Sequence, residues 1–192
     1  MFGGVRERPA AGYYHWTWPS REARVIRSKR YAAAALAVGA AVCAVDVVSK
    51  IVVVAALSGH RPMTVLGGLI TLQLYRNAGA AFGVGPSFTA MYALVAAAVL
   101  VVILRVSGRL QSWLWAVALG LVLGGAAGNL ADRLFRSPGP MRGWVIDWIK
   151  LPYFPETFNI ADSALTVGVV LIAAASIRWQ LGREAIGTTA EQ

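Results

Sequence analysis

Apolar residues fill four stretches of this chain long enough to cross a bilayer, and the polar residues that interrupt them collect toward one side. Residues 31–57, 88–106, 112–130 and 164–179 are each close to the ~20 apolar residues that span about 30 Å of hydrocarbon. Between the first two, residues 64–75 (TVLGGLITLQLY) set Ile70, Leu72 and Leu74 against Thr71 and Gln73. That period of two predicts strand, hence a small sheet lying on the membrane. Arg76-Asn77-Ala78-Gly79-Ala80-Ala81-Phe82-Gly83 follows, with small residues that permit tight turns. Ser137-Pro138-Gly139-Pro140 reads as a turn, and Trp144, Trp148, Tyr153 and Phe154 suit an aromatic belt at headgroup level.

Composition agrees with a membrane reading. Of 192 residues, 57% are hydrophobic and 14% charged, against about 25% charged in soluble domains. The net charge of +9 does not point to nucleic acid, because Lys and Arg sit in flanks and loops, where the positive-inside rule accounts for them. The chain divides into a basic arm (1–30), expected to be a cytoplasmic and partly disordered extension, a four-helix membrane domain (31–180) and a short cytoplasmic tail (181–192). Seven Lys or Arg in the arm, with Arg105, Arg109, Arg178 and Arg183, outnumber the six of the outer loops. That bias predicts both termini in the cytoplasm. The first apolar run is too long for a cleavable signal peptide. Cys43 is the only cysteine and reads as a buried small hydrophobe. With His15 and His60 it cannot assemble a zinc cluster.

Depth follows from a rise of about 1.5 Å per helical residue. Asp46 lies roughly 22 Å up the first span and Asn129 about 25 Å up the third. Asp132 follows directly, Asp162 opens the fourth span from outside, and Asp147 is in the same outer loop. All four aspartates therefore gather in the outer leaflet. Charged side chains there cost about 2.5–3.5 kcal/mol each even on the lenient insertion scale.

Asp46 and Lys50, four apart, read as an ion pair on one helix face. Gly124 and Gly128 form a small-xxx-small packing signal. Asn129, Asp132 and Arg133 share the next turn, where Arg133 is expected to keep Asp132 ionised. Asn129 and Arg133 divide evenly between structural bonding and contact with a substrate backbone or headgroup. Asn159, Asp162 and Ser163 are N-cap residues by type, and capping is the simpler role for Asp162 taken alone. Asp147, set among Val145, Ile146 and Trp148, has no cap to make. Two close carboxylates in a poorly hydrated site share one proton, so one can take a proton from water while the other donates to the leaving group. Serine–histidine chemistry fails on inventory, adjacent Ser49 and Lys50 diverge on a helix, and no phosphate-binding glycine motif occurs.

Five blocks in order resemble the bacterial lipoprotein signal peptidases (signal peptidase II), a family of membrane aspartic peptidases. They are Asp46-Val47-Val48-Ser49-Lys50, the Arg76–Gly83 block quoted above, Gly124-Gly125-Ala126-Ala127-Gly128-Asn129-Leu130-Ala131-Asp132-Arg133, Val145-Ile146-Asp147 and Phe158-Asn159-Ile160-Ala161-Asp162-Ser163. The resemblance implies an α-helical integral membrane protein with four transmembrane helices, a small extracytoplasmic β-sheet and an outer flap. It implies cleavage before the diacylglyceryl-modified cysteine of prolipoproteins, in the bacterial cell membrane, without metal or cofactor. Asp147 and Asp162 match the catalytic pair. Asn77, Gly79, Asn129, Arg133 and Asn159 match the surrounding substrate-binding positions, and Asp46, Lys50 and Asp132 are expected to be structural. Expected partners are lipid-modified signal peptides, membrane lipids and, as inhibitors, cyclic peptide antibiotics of the globomycin type. The arm is longer than the family requires. A proton-coupled transporter and a non-catalytic membrane subunit stand as the alternatives.

Overall fold

The computed structural model describes residues 21–79 and 89–189. The arm before Arg21 and the expected flap from Ala80 onward lie outside those residues. Four helices are long and apolar enough to cross a membrane: α1 (Arg21–Leu57), α2 (Thr89–Ser107), α3 (Trp113–Phe135) and α4 (Ile160–Thr189).

The helices run past the stretches that hydropathy marks, and the excess carries the chemistry. Helix α3 continues to Phe135, so Asn129, Asp132 and Arg133 all lie on it. Helix α4 starts at Ile160, which puts Asp162 in its first turn. Apolar windows close at the first polar cluster, whereas a helix continues wherever its polar side chains find partners inside the protein. Helix α1 likewise extends back through the basic run to Arg21, the first described residue, as no Gly or Pro interrupts residues 21–38.

Helix α3 is the centre of the bundle. Half of its most apolar window is buried, against 17–22% for the other three helices. Its glycines make this possible by letting backbones meet. A Cβ on Gly124 would stand 2.5 Å from the Gly39 carbonyl of α1, and one on Gly125 would stand 2.5 Å from the Ala161 carbonyl of α4. Ile103, Val122 and Leu123 form a buried apolar cluster below the polar layer. On the outer surface Val45, Val48, Ile51 and Val52 of α1 and Leu94, Val95 and Val102 of α2 stay exposed. Lipid tails solvate such faces as well as protein does.

A four-stranded antiparallel sheet caps one end, in the order β1-β2-β3-β4. Strands β1 (Met63–Val65) and β2 (Ile70–Asn77) occupy the alternating segment. A short 3-10 turn joins them at Leu66–Gly68, where Gly67 and Gly68 take φ of 64° and 99°. Strands β3 (Val145–Lys150) and β4 (Thr157–Phe158) fall where the sequence suggested only an aromatic belt. The apolar run Val145-Ile146-Asp147-Trp148-Ile149 is a strand because β2 supplies its hydrogen-bonding edge. The pairing sets Tyr75 opposite Asp147 and Asn77 opposite Val145.

Candidate active site

The outer ends of α1, α3 and α4 meet β2 and β3 around a layer of buried polar side chains. Lys50, Asn159, Asp46 and Asp147 are the largest fully buried side chains among the described residues. Burial of this kind is tolerable only where every charge and amide is partnered, and the partners can be followed atom by atom.

Asp147, on β3, is 1% exposed. Asn77 Nδ2 donates to its Oδ2 at 3.0 Å, and Asn159 Nδ2 donates to its Oδ1 at 2.6 Å. Asn77 is itself held in place, because its Oδ1 accepts the Gly79 N–H at 2.9 Å. Burial pushes the Asp147 carboxyl up, the negative charge of Asp162 adds to the effect, and the amide bonds and Lys50 only partly offset it. The group is pushed up to about 7, so its acid form is accessible at neutral pH.

Asp162 sits at the start of α4, tied to the residue that caps the helix. Asn159 Oδ1 accepts the Asp162 N–H at 2.9 Å, and Asp162 Oδ2 accepts the Asn159 N–H at 3.2 Å. This reciprocal pair is a capping box, so Asn159 is the cap and Asp162 its third-position partner. The other oxygen, Oδ1, accepts Asn129 Nδ2 at 2.8 Å. Capping and chemistry are therefore compatible for Asp162, because they use different oxygens.

Behind the two carboxylates lies an ionic cluster. Lys50 Nζ stands 2.7 Å from Asp46 Oδ2 and 2.8 Å from Asp132 Oδ2. Asp132 also pairs with Arg136. The expected partnership of Arg133 with Asp132 does not form, since adjacent residues on a helix face different ways. Instead Arg133 Nη2 donates to the Gly79 carbonyl at 2.8 Å, and its guanidinium lies 5.5 Å from the Tyr92 ring centre. The sequence reading missed Arg136, although its four-residue spacing from Asp132 was the available signal. It also missed Tyr92.

In front of the carboxylates opens a groove of 910 Å³. Asp147, Asp162, Asn77, Asn129 and Arg133 line its polar end. Val95 and Val99 of α2 with Leu165 and Val169 of α4 are among the apolar residues that line the rest. Two carboxylates that differ in environment at the end of an apolar groove have the form of an acid–base pair. Among the described residues no cluster of His, Cys, Asp and Glu could hold a metal ion.

Comparison with known proteins decides the family. The model for signal peptidase (SPase) II matches residues 38–178. The chain belongs to the signal peptidase II family. It is 47% identical over 152 residues to the lipoprotein signal peptidase of Streptomyces coelicolor, an alignment covering 79% of this chain and 74% of that protein. It is 44% identical to the lipoprotein signal peptidase of Streptomyces griseus, over 79% of this chain and 77% of the other. A solved bacterial membrane enzyme, determined by the in meso method at 2.3 Å resolution, superposes with a TM-score of 0.65 at 26% identity. That superposition covers 75% of this chain and 87% of the solved one. Family membership makes the chain a multi-pass membrane peptidase of the signal peptidase II type, and the matched region contains every polar residue traced above.

Proposed function

We propose that this peptidase removes the signal peptide of diacylglyceryl-modified prolipoproteins, cutting before the lipidated cysteine, with Asp147 and Asp162 acting on one water molecule. Asp147 carries the shared proton at rest, being the carboxyl pushed up to about 7. Asp162 takes a proton from the water as its oxygen bonds to the scissile carbonyl carbon, and Asp147 donates its proton to the carbonyl oxygen. The tetrahedral diol then collapses. The C–N bond breaks, the amine leaves with the proton from Asp162, and a diol hydroxyl returns its proton to Asp147. One water and one peptide bond become one acid and one amine, using carboxylates alone.

The observation that carries this reading is that two carboxylates of one groove are each held through both oxygens by Asn77, Asn129 and Asn159. Such locking holds reacting groups in attack geometry. The apolar length of the groove suits acyl chains. Val95 and Val169 line it and are 56% and 57% exposed. A lipid-modified peptide can thus slide in from the bilayer between these helices. Asn129 and Arg133, at the polar end, are placed to bond the substrate backbone, and Gly79 to shape the approach. Cyclic peptide antibiotics of the globomycin type would compete for the same groove.

The Lys and Arg bias supports cytoplasmic termini and, with them, a site on the extracytoplasmic side of the cell membrane. The direct test incubates purified protein in detergent micelles with a synthetic prolipoprotein peptide, with and without the diacylglyceryl group. Mass spectrometry is expected to find cleavage before the cysteine of the lipidated peptide alone. Cleavage elsewhere, or equal cleavage of both, would overturn the reading.

A further inference from the structure

Lys50 invites a bland explanation, the neutralising partner of Asp46 within a span. Its surroundings reach further. The ammonium on α1 is 0% exposed and touches three groups: Asp46 Oδ2 at 2.7 Å, Asp132 Oδ2 at 2.8 Å and Asn129 Oδ1 at 3.0 Å. Each of the three leads to Asp147 or Asp162. Asp46 Oδ1 accepts the N–H of Ala161, the residue before Asp162, at 2.9 Å. Asp132 Oδ2 accepts the N–H of Ile146, the residue before Asp147, at 3.1 Å. Asn129 reaches Asp162 directly, Nδ2 to Oδ1, at 2.8 Å.

We infer that Lys50 is a positioning residue for both aspartates, one buried ammonium that fixes the two carboxylates relative to each other from behind. This rests on the reading of Asp147 and Asp162 as the catalytic pair. The Asn129 contact shows how it works. An ammonium has only donors, so a carboxamide meets it with oxygen and never with NH₂. Lys50 therefore dictates that Asn129 presents Nδ2 to Asp162. With the ammonium gone, the amide oxygen keeps only the longer bond from the Asn159 side chain, and the orientation of Asn129 toward Asp162 is held less firmly. The oxygen that Lys50 holds also accepts Asn159 Nδ2 at 3.2 Å, and that same NH₂ serves Asp147. A single contact thus orients donors to both carboxylates. The two ion pairs do the equivalent for the backbone, by fixing the acceptors that hold the peptide N–H just ahead of each aspartate.

The test uses Lys50→Met and the paired Asp46→Asn/Lys50→Met. The single variant leaves buried carboxylates uncompensated and risks misfolding. The paired one removes a charge of each sign and keeps a side-chain oxygen for the Ala161 N–H. In purified full-length protein, the paired variant is expected to melt near wild type and to keep its KM for a lipidated peptide. Its kcat is expected to fall by roughly 10²-fold, the loss typical of misplaced reacting groups. Its alkaline limb is also expected to move to higher pH. The groups facing Asp147 are Asp162 from α4, Arg133 from α3 and Lys50 from α1, and Lys50 opposes the upward push on it. A folded paired variant with wild-type kcat and pH profile would overturn the inference. So would one that cannot fold at all, which would make Lys50 a folding residue only. If Asp147→Asn or Asp162→Asn retains cleavage, the catalytic reading itself has failed, and that result is separate from either Lys50 outcome.

Discussion

Asn159 donates its side-chain amide to Asp147 at 2.6 Å while its own backbone N–H is accepted by Asp162. One residue at the start of α4 therefore links a strand carboxylate to a helix carboxylate, through the same capping box that begins the helix. The cap of α4 and the link between the two carboxylates share one set of atoms, so moving the carboxylates apart strains the cap.

Replacement of Asn159 by Ala separates these roles by magnitude. The lost cap should cost about 1 kcal/mol of stability. The lost donor to Asp147 should lower kcat much more steeply, and should move the Asp147 carboxyl further up, since this bond opposes the push. Thermal unfolding and pH–rate profiles on the same preparation check both. A variant with reduced stability and an unshifted profile would limit Asn159 to capping.

The protonation of Asp147 gives a pH dependence whose sign is fixed. Its folded value of about 7 exceeds the ordinary 3.8, so between those limits the native state holds a proton that the unfolded chain has released. Stability must then fall as pH rises from about 4 to about 7 and level off above. The displacement corresponds to on the order of 4 kcal/mol. Asp147→Asn removes the effect. Melting in micelles at pH 5 and pH 8 should show a loss in wild type that the variant lacks, and equal losses would contradict it. On the proposed mechanism the acid form of Asp147 donates, and kcat should then also decline above about pH 7.

Helix packing beneath the site makes a steric prediction. A Cβ on Gly128 would run into the Asp46 carboxylate, whereas one on Gly108 meets nothing within 4 Å. Gly128→Ala should destabilise by roughly 1–3 kcal/mol, the usual range for overpacking, and should disturb the Lys50 pair. Gly108→Ala should stay within about ±0.5 kcal/mol, as surface changes do. Equal melting temperatures for the two would mean that the Asp46 side chain does not lie against Gly128.

Much of this architecture was legible in the chain because a bilayer imposes simple rules. The four apolar runs gave the bundle, and residues 70–75 showed the alternation of β2. The depth of Asp46, Asn129, Asp132 and Asp162 along their helices already gathered the polar residues at one level. What escaped depends on pairing at long range. Strand β3 exists because β2 offers an edge 70 residues away, as in the Asn77–Asp147 bond. Asp132 pairs with Lys50, from another helix, and with Arg136 one turn on, and not with its neighbour Arg133. Spacing within one helix says which face a residue occupies. It does not say which helix that face will meet. The link between Lys50 and both aspartates was invisible for the same reason, since it passes through four elements.

The central claim is that Asp147 and Asp162 work as one pair, and single-turnover cleavage of a diacylglyceryl-modified peptide by Asp147→Asn and Asp162→Asn tests it most directly. Each variant should insert, melt at or above the wild-type temperature in the case of Asp147→Asn, and still bind the peptide. Each should lose at least roughly 10³-fold in rate, as expected for removal of an essential acid or base. A folded variant of either kind that cleaves at near wild-type rate would contradict the account.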